Sequence, residues 1–277
     1  MSLLLDGVVA AYRGARPGAA AALEGIDLQV DDREQLVLIG SSGAGKTTLL
    51  MVCGLQLRPM SGRVLVDGID PWTLSTRARH ALRKTLAIAP QTAPLPPRQR
   101  VVTSVLAGRL PRMGAMESIG SLIRPRRADL AHDALAAFGL EDKLWLRVDR
   151  LSGGERQRVS LARLLVCDAR QWFVDEPLSA LDPALAERSL RVLVDDAARR
   201  GAMLIASLHQ VELALRCFPR VVGLAKGRVA FDRAAGDVDV ASQTKLYGMR
   251  IAPAVGSDHV VAGDDAVRLR SSRVAES

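Results

Sequence analysis

The stretch Gly40-Ser41-Ser42-Gly43-Ala44-Gly45-Lys46-Thr47-Thr48 carries three glycines, a lysine and a threonine at a spacing that suits capture of phosphate. Glycines let successive backbone N–H groups turn inward around phosphate oxygens, along a path that a Cβ would obstruct. Lys46 has the length to reach β- and γ-phosphates, and the Thr47 hydroxyl is a hard oxygen ligand for Mg²⁺. The apolar run Gln35 to Ile39 precedes the loop as a buried strand. Thr47 to Cys53 follows it as a helix whose positive end faces the same anion. A glycine-rich turn between strand and helix needs no ligand, but a purely structural turn has no use for Lys-Thr at its exit. The segment implies a bound nucleoside triphosphate with Mg²⁺.

Two further segments carry chemistry. Trp172-Phe173-Val174-Asp175-Glu176 is an apolar run ending in adjacent carboxylates. Consecutive side chains at a strand end point in different directions, so the pair can divide the work. Asp175 is expected to hold Mg²⁺ through its waters, and Glu176 to polarise the water that attacks a γ-phosphate. An Asp-Glu pair alone reads as a solvated turn; behind an apolar strand, in a chain with a phosphate loop, it reads as catalytic. Gln171 is polar where that strand would continue apolar, and marks its start. The other segment, Leu151-Ser152-Gly153-Gly154-Glu155-Arg156-Gln157, opens a helix. Ser152 suits the N-cap, and the glycines behind it expose N–H groups at a positive helix end, a second phosphate-binding surface. One triphosphate does not need two such surfaces from one chain, so the second is expected to serve a nucleotide held by another copy.

These segments need a scaffold. Short runs rich in Val, Leu and Ile and bounded by turn residues predict strands at Leu3–Val9, Ile26–Val30, Gln35–Ile39, Arg63–Val66, Leu86–Ala89, Trp172–Val174, Ala202–Ser207, Val221–Leu224 and Val229–Phe231. Helical patterns at Arg156–Cys167 and Pro183–Arg199 alternate with them, which predicts an α/β core with a largely parallel sheet. The strands before Gln35 have no helices between them and are expected to form a separate antiparallel layer. From about Arg100 to Arg150 the apolar spacing is helical (Val101, Val105, Leu106; Leu130, Ala134, Leu135, Phe138), which reads as a helical insertion. The tail from about Pro253 is poor in large apolar residues and is expected to be mobile.

Composition narrows the classes. The 277 residues can bury a sizeable core, and no stretch approaches the roughly 18–20 apolar residues of a membrane helix. The N-terminus, Met1 to Asp6, lacks the pattern of a signal peptide. Cys53, Cys167 and Cys217 are far apart and odd in number, and read as small buried apolar residues in a reducing compartment. The net charge of +8 suits either nucleic acid or an anionic surface, but an aromatic content of 3% leaves little to stack bases on. The densest basic group, Arg109, Arg112, Arg124, Arg126 and Arg127, reads as a solvated face.

The three motifs in this order resemble an ATP-binding cassette (ABC) ATPase, the nucleotide-binding subunit of an ABC transporter, from about Leu3 to Gly248. The resemblance implies a P-loop α/β core with a parallel sheet, an antiparallel β layer and a helical subdomain. Residues 1–250 would form the ATPase domain, with the helical subdomain at about 92–150, and 251–277 a disordered tail. Gly40–Thr48 resembles the Walker A loop (Gly40, Ser41, Ser42, Gly43, Ala44, Gly45, Lys46, Thr47 and Thr48 on ATP), and Asp175 and Glu176 close the Walker B strand. Ser152 to Gln157 belongs to the signature, which meets ATP across a head-to-tail homodimer, with Ser152, Gly153 and Gly154 on the nucleotide. Gln91 resembles the Q-loop glutamine that contacts Mg²⁺ or water, Ser179-Ala180-Leu181-Asp182 the D-loop, and His209 the switch histidine. Tyr12 stands where the family places an aromatic on adenine. By resemblance the catalytic set is Glu176, His209, Lys46 and Gln91, and the Mg²⁺ set Thr47, Gln91 and Asp175.

The rival ABC classes fit less well. Repair and chromosome-organising ABC ATPases insert a long coiled coil between Walker A and signature, whereas only about a hundred residues without sustained heptads lie between them here. Translation-associated cassettes carry two ATP sites in one chain. A cell-division role stays open on motifs alone. Ser104-Val105-Leu106-Ala107-Gly108-Arg109-Leu110, Ser207-Leu208-His209-Gln210-Val211, Gly227–Asp232 and Leu246-Tyr247-Gly248 are similar to phosphonate-import ATPases, a family that includes cassettes for phosphite and related oxyanions. After Gln91 the chain departs from that pattern, with Pro94, Pro96 and Pro97 in place of a more apolar run. The implied partners are two transmembrane permease subunits and, indirectly, a periplasmic or lipid-anchored binding protein, with no specific nucleic acid. The implied location is peripheral, on the cytoplasmic side of the inner membrane.

Overall fold

Gln35–Ile39 is buried at every position because both faces of its sheet are covered, the condition under which a strand reads as one apolar run. The computed structural model describes residues 1–12, 14, 20–92, 94–114, 116–118, 120 and 127–247. The tail expected to be mobile, 251–277, lies outside the described residues. The strands are β1 (Leu3–Ala11), β2 (Ala21–Val30), β3 (Gln35–Ile39), β4 (Ser61–Val66), β5 (Leu86–Ala89), β6 (Gln171–Asp175), β7 (Met203–Ser207), β8 (Arg220–Ala225) and β9 (Arg228–Ala234). Six of them form a sheet in the order β5-β6-β7-β3-β8-β9, parallel except for the antiparallel edge hairpin β8–β9.

The early strands form their own antiparallel sheet, ordered β2-β1-β4. It recruits β4 as well as the two strands before Gln35. Leu5 of β1 lies between Leu28 and Val64, so the layer closes within the first quarter of the chain.

The α-helices are α1 (Lys46–Cys53), α2 (Thr76–Arg83), α3 (Val101–Leu106), α4 (Ala128–Ala136), α5 (Gly153–Leu165), α6 (Pro183–Arg200), α7 (Val211–Cys217) and α8 (Val240–Tyr247). Alternation along the central strands splits the core in two. Leu36, Leu38, Phe173, Ile205 and Val222 pack with α1 and the antiparallel layer. Val37, Ile39, Trp172, Val174, Leu204 and Ala206 face the other way, onto α5, α6 and α7. Val101, Val105, Ala134, Leu135 and Phe138, from the helical stretch, join this second cluster and have no core of their own.

Three details refine the sequence reading. Gln171 does begin β6, but it is fully buried there, and its Nε2 donates to the Met1 carbonyl at 3.5 Å. Cys53 and Cys167 are buried, and burial pushes the Cys53 thiol up to about 12, whereas Cys217 is only half-buried on α7. Arg109 is half-buried and not on a solvated face; its Nε finds no hydrogen-bond partner among the described residues. No helix among the described residues is long and apolar enough to cross a membrane.

Phe173, at the centre of one core cluster, has no exposure. Phe173→Ala should cost about 3–5 kcal/mol. The check is a lower urea midpoint with an unchanged denaturant slope.

Candidate nucleotide site

Parallel strands deliver their C-terminal ends to one edge of the sheet, and the phosphate loop, Tyr12, Gln91, Asp175, Glu176 and His209 gather there. The loop after β3 turns into α1 at Gly45, whose φ of 104° lies in the left-handed region. A Cβ at Gly45 would sit 2.7 Å from the Ala22 carbonyl, so only glycine lets the loop press against β2. The β8–β9 turn holds the loop from outside, with Gly227 N–H donating to the Ala44 carbonyl at 3.1 Å. Lys46 is 4% exposed, and its Nζ donates to the carbonyls of Gly40 (2.9 Å) and Ser41 (3.2 Å). Burial pulls its ammonium below the ordinary lysine value, against the opposing pull of Glu176 and Asp175.

One hydrogen-bonded chain joins α1 to the ends of β6 and β7. The Thr47 hydroxyl donates to Asp175 Oδ2 at 2.8 Å, and Ser207 Oγ donates to Asp175 Oδ1 at 2.6 Å. Ser207 Oγ also accepts from the Glu176 N–H at 3.0 Å. Glu176 has a φ of 44°, in the left-handed region that a non-glycine residue adopts at a cost. Its carboxylate accepts from Gln91 Nε2 at 2.6 Å, and its other oxygen contacts His209 Nε2. Tyr12, half exposed, donates from its hydroxyl to the Gly43 carbonyl at 3.0 Å. Tyr12, Ser42 to Thr48, Gln91, Glu176 and His209 line one cleft.

Ser152, Gly153, Gly154 and Asp182 are not among the residues lining that cleft. Ser152 caps α5 in a reciprocal box with Glu155, whose carboxyl is held below its usual range by the Ser152 N–H. Asp182 caps α6, accepting from Leu185 N–H at 3.0 Å. This local duty as a cap was not part of the sequence reading.

The donor set fits a triphosphate with Mg²⁺. The loop has glycines at positions 40 and 45 where a Cβ would strike the Leu224 and Ala22 carbonyls, a lysine whose ammonium lies on the loop's own carbonyls, and hard oxygens on Thr47 and Asp175 beside it. Magnesium keeps several waters, so few protein ligands suffice.

Comparison with known proteins follows the same line. Residues 23–179 match the family model described as "ABC transporter", more than half of the chain. The chain belongs to the ABC transporter family. This cassette is 51% identical over 259 residues to the phosphonates import ATP-binding protein PhnC of Polaromonas sp. strain JS666, covering 94% of each chain. It is 50% identical to phosphonates import ATP-binding protein PhnC 2 of Pseudomonas aeruginosa strain UCBPP-PA14, covering 89% of this chain and 91% of that one. Among solved structures, a dimeric bacterial ABC transporter cassette superposes with a TM-score of 0.70 at 25% identity, covering 84% of this chain and 98% of that one. A bacterial Atm1-family ABC exporter with ATP bound gives 0.72 at 26%, covering 89% of this chain and 41% of the exporter.

Sequence reasoning gave Ser207 no role of its own and read Gln157 only as part of the signature, without its contact to Glu176. Ser207 ends an otherwise apolar strand two positions before His209, a signal that a buried hydroxyl is needed there. Removing it in Ser207→Ala strands Asp175 Oδ1 and the Glu176 N–H. The expected result is a loss of about 1–3 kcal/mol in stability, read by urea denaturation. Nucleotide-dependent activity should fall with it.

Proposed function

We propose that the chain is the ATP-hydrolysing subunit of an ABC importer for phosphonates, acting as a homodimer on the cytoplasmic face of the inner membrane. The observation that carries the ATPase reading is the Glu176 carboxylate, gripped by Gln91 and His209 beside the Thr47–Asp175 pair. A carboxylate held there suits acceptance of the proton from the water that attacks the γ-phosphate. Lys46 offers a fixed positive charge to the β- and γ-phosphate oxygens as they gain charge. Gln91 and His209 keep the base aimed, and Tyr12 borders the cleft where adenine would lie. Bound between Thr47 and Asp175, Mg²⁺ would supply neutralisation of the phosphate oxygens.

The dimer reading is supported by the second phosphate-binding surface, Ser152 to Gly154, which does not line the chain's own cleft. Docking on permease subunits is supported by a groove beyond Gln91. Pro90 and Pro94 line it, with Lys84, Arg109, Arg112 and Arg163 as cationic groups against one carboxylate, Asp168. Arg163 makes no ion pair among the described residues, and burial holds its guanidinium below the ordinary arginine value. A binding protein would reach this chain only through the permease. The cargo rests on likeness to the phosphonates import proteins, since a cassette contacts nucleotide and not cargo.

Glu176→Gln should bind Mg-ATP and hydrolyse it at least about 100-fold more slowly, because an amide cannot take the proton. With saturating Mg-ATP this variant should accumulate as a dimer in light scattering; a monomer under those conditions would refute the shared-site reading. The cargo is tested separately. A strain lacking this gene and any second importer should lose uptake of labelled phosphonate, and uptake at the wild-type rate would overturn the cargo while leaving the ATPase reading standing.

A further inference from the structure

Gln157 lies just after the first turn of α5, where a glutamine on an amphipathic helix would ordinarily face water. It is instead 9% exposed. Its Nε2 donates to the Glu176 carbonyl at 3.0 Å, and its Oε1 accepts from Ser179 Oγ at 3.4 Å. The left-handed peptide of Glu176 is therefore held at both ends, the N–H by Ser207 and the carbonyl by Gln157. A conformation of this kind persists only when its surroundings over-determine it. Released at its carbonyl, the turn can relax, and the carboxylate then leaves Gln91 and His209.

The same helix end is locked to the same turn by packing. A Cβ at Gly154 would stand 2.9 Å from the Ala180 carbonyl and 3.1 Å from Leu181 Cδ2. The Ser152–Gly154 surface and the segment from Glu176 to Asp182 thus have little freedom to move apart. We infer that Gln157 is a positioning residue that couples the Ser152–Gly154 surface to the Glu176 carboxylate of the same chain. The inference rests on the proposed dimer, in which that surface meets the partner's nucleotide. Nucleotide on one protomer then sets the aim of the base in the other, and hydrolysis is cooperative in ATP.

The test uses the full-length protein and three measurements. Gln157→Leu keeps the volume and removes both hydrogen bonds. It should lower kcat about 10- to 100-fold, leave KM for ATP within about twofold, and bring the Hill coefficient towards one. Gln157→Glu keeps the shape but donates to the Glu176 carbonyl only while its own carboxyl is protonated. Its kcat should approach that of the wild type at low pH and that of Gln157→Leu at high pH. Three results would overturn the inference: a wild-type kcat in Gln157→Leu, a lowered kcat with an unchanged Hill coefficient, or a Gln157→Glu pH profile parallel to that of the wild type. A wild-type protein without ATP hydrolysis would instead remove the ATPase reading beneath it.

Discussion

A buried carboxylate that needs every one of its hydrogen bonds organises this molecule. Asp175 is 7% exposed, and an ionised group so placed is tolerated only when it is paired or bonded. Thr47 satisfies one oxygen and Ser207 the other. The three residues come from α1, β6 and β7, so satisfying one side chain ties the phosphate loop to two strands that are distant in sequence. The ladder makes this possible, because Ser207 stands in register with both Asp175 and Leu38. A slip of one residue in either pairing would turn the hydroxyl to the opposite face of the sheet and leave the carboxylate stranded.

The left-handed turn at Glu176 follows from the same anchor. Ser207 holds the Glu176 N–H with the oxygen whose hydrogen it gives to Asp175, so the Asp175 carboxylate and the Glu176 backbone share one hydroxyl. One residue is fixed as a bonded partner of Thr47, while its neighbour is turned out between Gln91 and His209. Division of labour between neighbouring carboxylates is thus a product of backbone conformation. Their chemical identity alone does not separate them.

Much of this was legible in the sequence because the signals are local. Strands β3 and β5 were read to the residue, since turn residues bound compact apolar runs. Strand β2 reaches back to Ala21, well before the run at Ile26, because pairing with β1 extends it through residues of weak strand preference. The phosphate loop and the Asp175-Glu176 pair announce themselves by spacing. Ser207 and Gln157 do not, because their roles exist only once β6 and β7 pair and α5 docks on the catalytic turn. Arg109 looked solvated for a related reason: its charge is visible in the sequence, but its burial depends on contacts made elsewhere in the chain.

The position of β3 between β7 and β8 has a consequence for synthesis. The antiparallel layer can close as soon as β4 has emerged, but Gln35 must wait for Leu204 and Leu36 for Arg220. Closing so long a loop carries an entropic cost that only later contacts repay, and sheets with such distant pairings form slowly. On the ribosome, then, a largely apolar strand leaves the exit tunnel long before either neighbour exists. Its unpaired edges are templates for pairing with other chains throughout that interval. The strand that will carry the phosphate loop is therefore an aggregation hazard of the nascent chain, and elongation rate and chaperone access set how much of it matures.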